Sequence, residues 1–122
     1  MTNDEIHTIC KLGFQLYTRD RYDDAARIFR GLVSLDDSLE YPWHALGLIA
    51  RKRGEFQRAV DCFQRRLEIA PDADDSRVGL AETLWEHGYR GDAIDVLRRL
   101  APDSESEAAR RGRVLLARWT RS

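Results

Sequence analysis

Trp43-His44-Ala45-Leu46-Gly47, followed by Ala59-Val60-Asp61-Cys62-Phe63 and closed by Pro71, is the stretch whose reading decides the fold. Sliding the chain against itself by 34 residues repeats it without gaps. Leu46 falls on Leu12 and Leu80, Gly47 on Gly13 and Ala81, and Ala59 on Ala25 and Ala93. Phe63 falls on Phe29 and Leu97, and Phe56 on Tyr22. Self-similarity at this period marks stacked helical pairs. Two helices approach to about 8 Å only where small residues meet, with larger side chains filling the space beside them. Gly13, Gly47 and Ala81 give that room from the first helix of each pair, and Ala25, Ala59 and Ala93 from the second. Phe29, Phe63 and Leu97 are the fillers. Breakers separate the helices at Asp20, at Gly54, and at Gly88 with Gly91. Pro71 and Pro102 end the second helices.

The pattern resembles the tetratricopeptide repeat (TPR), marked by W-x2-L-G, a later A-x3-F and a closing Pro. The middle unit carries every mark, whereas the third has Arg77, Arg90 and Glu105 where Trp, Tyr and Pro are typical. The resemblance covers about Ile6 to Glu107. It implies an all-α, right-handed TPR solenoid of three helix-turn-helix repeats plus a C-terminal capping helix. Residues 1–122 then form a single TPR domain, with repeats at about 6–39, 40–73 and 74–107. Helices are expected at about 5–18, 22–34, 40–53, 56–69, 74–87 and 90–100, with the cap at about 105–119. Thr2 with Glu5 and Ser104 with Glu107 read as capping boxes for the first and last helices. The cap carries Val114, Leu115 and Trp119 toward one side, and Arg110, Arg111, Arg113, Arg118 and Arg121 elsewhere. An apolar stripe on the last repeat with charge facing water is what a solenoid end requires. The same arginines also suit RNA or anionic lipid, although no aromatic platform accompanies them.

Composition narrows the function. A net charge of -1 argues against nucleic acid, whose binders carry a basic excess. No apolar run approaches the roughly 18 residues of a membrane helix, so no membrane insertion is expected. The polar, acidic start Met1-Thr2-Asn3-Asp4-Glu5 does not read as a signal peptide, and a cytoplasmic protein is expected. Cys10 and Cys62 lie in helical patterns without metal-ligand spacing and read as structural thiols, with a disulfide or reactive thiol as the alternative. His7, His44 and His87 are far apart, and Asp23-Asp24, Asp36-Asp37 and Asp74-Asp75 sit at turns or helix starts, where acids favour the helix dipole. There is no glycine-rich phosphate loop and no Ser-His-Asp arrangement. No catalytic residue, metal or cofactor is therefore expected.

In a TPR superhelix the first helix of each pair lines the concave face. With core positions removed, residues spaced by three and four give His7, Cys10, Phe14 and Tyr17 in the first repeat. The second contributes Tyr41, His44, Leu48 and Arg51, with Lys52 at the edge. The third contributes Asp75, Val78, Glu82 and Trp85, with Glu86 beside it. These aromatics either pack on neighbouring helices or form a groove; a stripe beyond the TPR core positions favours the groove. The carboxylate clamp of TPR domains that grip heat-shock chaperones is missing, because the only Asn is Asn3. The stripe suits a protein or peptide partner with an apolar segment, its direction set by charge. A homodimer is left open.

A narrower resemblance also holds. Leu16-Tyr17, Tyr22-Asp23-Asp24-Ala25, Ile28-Phe29, Leu32 and Leu35-Asp36 are similar to the first repeat of class II type III secretion chaperones. Leu46-Gly47-Leu48-Ile49-Ala50, Gly54-Glu55-Phe56 and Ala59-Val60 continue it, as do Leu80-Ala81-Glu82, Gly88 and Asp92-Ala93. The resemblance implies a cytoplasmic chaperone that holds an apolar segment of a secreted client, with Phe14, Tyr17, Tyr41, His44, Leu48 and Trp85 in the groove. The alternative is a TPR adaptor or scaffold in another cytoplasmic complex.

Overall fold

A computed structural model describes residues 1–121, and seven helices make up its regular structure. They are α1 (Asn3–Thr18), α2 (Tyr22–Leu35), α3 (Glu40–Lys52), α4 (Phe56–Ile69), α5 (Asp74–Glu86), α6 (Arg90–Leu97) and α7 (Glu107–Trp119). Successive helices pair as hairpins, α1 with α2, α3 with α4 and α5 with α6, and each hairpin stacks on the next. The turn within each hairpin repeats one conformation. Among the described residues, Asp20, Gly54 and Gly88, one per repeat, are those with positive φ, at 61°, 72° and 88°. After each, an N–H reaches back into the preceding helix: Arg21 to Leu16, Glu55 to Ala50 and Tyr89 to Leu84, all at 2.9 Å. Glycine holds that left-handed position without a Cβ penalty, and Asp is among the few other residues that take it.

The packing turns on small residues. A Cβ on Gly13 would lie 2.6 Å from the Phe29 ring, and one on Gly47 would lie 2.6 Å from Phe63. The sequence pattern did not single out Gly79 of α5, yet a Cβ there would lie 2.8 Å from the same Phe63 ring. Phe63 is therefore wedged between its own hairpin and the next. Three apolar clusters follow the three hairpins, the first built around Phe29 and Leu32, the second around Phe63 and Leu80, the third around Leu97 and Val78.

The backbones of the odd helices also approach one another, α1 with α3, α3 with α5 and α5 with α7, whereas among the described residues those of α2, α4 and α6 stay apart. A stack closed on one side and splayed on the other must curve. The odd helices line its inner face.

The ends match expectation in part. Thr2 Oγ1 accepts from the Glu5 N–H and Glu5 Oε1 from the Thr2 N–H, both at 3.1 Å, completing the first capping box. The second differs: α7 is capped by Ser106, whose Oγ accepts from Ala109 N–H at 3.0 Å. Ser104 donates instead to Asp74 of α5 at 2.7 Å. Ser106 donates to the same carboxylate at 2.8 Å, so the cap and its neighbour share one tertiary acceptor.

Gly47→Ala and Gly79→Ala should each lower stability by about 1–3 kcal/mol, the cost of overpacking a filled core. Gly31, exposed on α2 with nothing within 4 Å of a Cβ, should gain about 0.5–1 kcal/mol as Ala. Urea denaturation of the three variants measures this; a stabilised Gly79→Ala would refute the wedge.

Candidate functional site

The inner face carries two grooves joined by α3. The upper one, of about 590 Å³, lies between α1 and α3 and is lined by Ile6, His7, Cys10, Lys11, Phe14 and Tyr41, with Asn3 and Gln15 at its ends. Phe14 is 45% exposed, unusual for a phenylalanine of a packed helix. Tyr41 closes the inner wall, its ring edge-on to Phe29 at 5.9 Å. Burial pushes the Cys10 thiol above its ordinary range, so it stays protonated at neutral pH. The lower groove, of about 450 Å³, runs between α3, α5 and α7 and includes His44, Leu48, Arg51, Glu82 and Arg111.

The structure thus brings together His7, Cys10, Phe14 and Tyr41 in one groove and His44, Leu48, Arg51, Val78 and Glu82 in the other. Tyr17 stands at the edge, half-buried between Phe14 at 6.1 Å and Tyr22 at 5.7 Å. One expected groove residue, Trp85, is committed elsewhere, and Val78 offers the lower groove little surface, both for one cause. Val78 is 3% exposed because α7 lies over it, close enough that a Cβ on Gly112 would come within 3.0 Å of its methyl. Trp85 stacks flat on Trp119 of α7, centroids 4.3 Å apart, with Arg90 over its other face at 4.8 Å. The cap uses as core what the helical spacing offers as surface.

Charge is also more committed than the sequence suggests. Arg51 reaches Glu86 at 2.6 Å and Glu82 at 3.5 Å, and Arg111 reaches Glu82 at 2.6 Å. The basic and acidic ends expected for the stripe therefore neutralise each other across α3, α5 and α7. Ile6 and Lys11 were missed although Ile6 continues the stripe of Cys10 and Phe14; Arg111 had no signal, since the cap's register is not written in a repeat.

A polar cluster lies on the inner face at the joint of α3, α4 and α5. His44 Nδ1 is 2.7 Å from Ser76 Oγ, and its Nε2 is 3.7 Å from Asp75. Arg66 donates to Asp75 at 2.9 Å and to Ser76 at 3.1 Å. Burial holds the His44 pKa below its ordinary value, Asp75 pulling it up and Arg66 pushing it down. Burial raises the Asp75 carboxyl, but His44, Arg66 and the hydrogen bonds outweigh this and leave it lowered. Among the described residues no three His, Cys, Asp or Glu side chains converge to hold a metal. No helix among them is long and apolar enough to cross a membrane.

Residues 43–77 match the tetratricopeptide repeat family. The chain superposes on the Yersinia enterocolitica type III secretion translocator chaperone SycD with a TM-score of 0.88 at 20% identity, covering 96% of this chain and 91% of that one. It has the tetratricopeptide-repeat fold. Y. enterocolitica SycD in complex with a peptide of the translocator YopD superposes with a TM-score of 0.84 at 21% identity, over 97% of this chain and 94% of that one. In sequence, 69 residues are 33% identical to NAA15, the auxiliary subunit of the N-terminal acetyltransferase A complex of Arabidopsis thaliana. That stretch is 57% of this chain, and the chain spans only 8% of NAA15.

The TPR frame also explains Arg77. The signature Trp43 donates its indole N–H to Asp37 O at 2.8 Å. One repeat later Arg77 donates to Pro71 O at 2.6 Å, so a guanidinium replaces the indole in the same bond.

The pH dependence of this TPR solenoid follows from His44. Its folded pKa lies below that of the unfolded chain, so the unfolded state binds the proton first. The His44 contribution is complete above about 6.5, the ordinary histidine value, and is lost as pH falls below it toward the folded pKa. Asp75 adds its own loss only at much lower pH. Stability measured by urea at pH 7 and pH 5 should fall with acidification, and His44→Gln should flatten that slope. An equal slope in the variant would exclude His44 as its source.

Proposed function

We propose that this chain is a non-catalytic protein-binding solenoid, a cytoplasmic chaperone that holds an apolar segment of a secreted client in its inner groove. The observation that carries the proposal is the upper groove itself. An aromatic side chain left half in water beside Ile6, Cys10 and Tyr41 is an apolar surface without a partner inside the chain. Its size suits one or two apolar side chains of an extended or helical segment. Support for an export client comes from the solved structure of the same fold in complex with a translocator peptide. The His, Cys and acidic side chains of the inner face are hydrogen-bonded, ion-paired or apart, which supports holding over catalysis.

A second reading, an adaptor within another complex, is favoured by the similarity to an auxiliary subunit of a multi-protein enzyme. The two differ in what the partner needs. A chaperone should co-purify one to one with an apolar translocator that aggregates when expressed alone. An adaptor should bind a partner that is soluble by itself.

Phe14→Ala or Tyr41→Ala should weaken client binding at least tenfold, since burying such a side chain contributes about 1.5–3 kcal/mol. Calorimetry with the purified client fragment measures it. Unchanged affinity in both variants would move the site away from the upper groove.

A further inference from the structure

The outer face carries a different surface. Since the backbones of α2 and α4 stay apart, a crease of about 370 Å³ opens between them, with α3 as its floor. Its apolar part is Val33, Trp43 and Leu46, with Cys62 at the base. The Cys62 thiol is pushed up to about 11 by burial, so the floor is uncharged at neutral pH. Trp43 forms a fixed wall, its N–H tied to Asp37 O and its ring covered by Arg65 at 5.8 Å.

The rim is basic: Arg30, Arg53 and Arg58 face two carboxylates, Glu55 within the crease and Asp23 beside it. Arg53 and Arg58 share that carboxylate at 3.4 and 3.1 Å, and Arg53 also reaches Asp23 at 3.2 Å. Arg30 makes no ion pair among the described residues. This local excess stands out in a chain of net charge -1. Nor is it a product of the repeat. One repeat on, Arg30, Trp43, Arg53 and Arg58 become Gln64, Arg77, His87 and Asp92. Aromatic wall and basic rim occur together only between α2 and α4.

We propose that this crease is a second docking site, for an acidic peptide segment of a partner protein that carries one apolar anchor. The anchor would sit against Trp43 and Leu46, and its flanking carboxylates would meet Arg30 and Arg58. RNA fits worse: the floor is a single apolar slot with one aromatic wall rather than a row of exposed stacking rings. Because the crease lies on the face opposite Tyr41 and His44, both sites can be filled at once.

The test uses the full chain and two pools of short fluorescein-labelled peptides. Each has a central Leu or Phe, flanked by Asp and Glu in one pool and by Lys and Arg in the other. Anisotropy should show the acidic pool binding at least about tenfold tighter, an advantage reduced by salt. Arg30→Glu with Arg58→Glu should abolish that preference, while Phe14→Ala should leave it intact. In the NMR spectrum the acidic pool should move the indole signal of Trp43, assigned with Trp43→Phe, and leave Trp85 and Trp119 in place. No binding of the acidic pool, equal binding of both pools, or loss on Phe14→Ala overturns the proposal. So does tighter binding of polyuridine or phosphatidylserine vesicles than of the peptides, if that binding is lost in the double variant.

Discussion

The Phe63 ring sits where two hairpins meet, with Gly47 of its own hairpin on one side and Gly79 of the next on the other. No Cβ could stand at either glycine without displacing it. The ring thereby fixes two distances at once, α3 to α4 and α4 to α5, and every later feature inherits that spacing. The first hairpin has the simpler version, Phe29 against Gly13. In the third, Leu97 takes the place of the ring and α7 closes the cluster.

Close approach at these points brings the odd helices into contact and leaves the even ones apart. Curvature then gives the molecule two unlike surfaces from one helix. Tyr41, His44, Leu48 and Arg51 of α3 turn inward, while Trp43, Leu46 and Arg53 of the same helix turn outward. The inner face keeps its apolar exposure at the first repeat, because α7 covers the third. The solenoid is consequently asymmetric along its axis: open at Phe14, bridged by charge at Glu82 and stacked against the cap at Trp85.

Much of this was legible in the sequence, because a repeat writes the same constraint three times. Asp20, Gly54 and Gly88 were readable as turns since only residues tolerant of positive φ recur there. Gly13 and Gly47 were readable as crossing points, and the stripe from His7 to Phe14 as an inner wall. Gly79 was not, because its partner ring belongs to another hairpin and the 34-residue register does not align it with a glycine. Ser104 was misread as a cap because α7 begins at Glu107, two residues later than local spacing suggested, which puts Ser106 at the helix end.

The sequence by itself determined the hairpins, their turns and the identity of the inner helices, all of which depend on contacts within one repeat or between identical positions of neighbours. Only the tertiary structure decided how the last helix lies, and with it the fate of Val78 and Trp85. The cap has no second copy to be compared with. Its register on α5 is set by Gly112 fitting against Leu100 and Val78 and by Trp119 stacking on Trp85, contacts between surfaces that share no period.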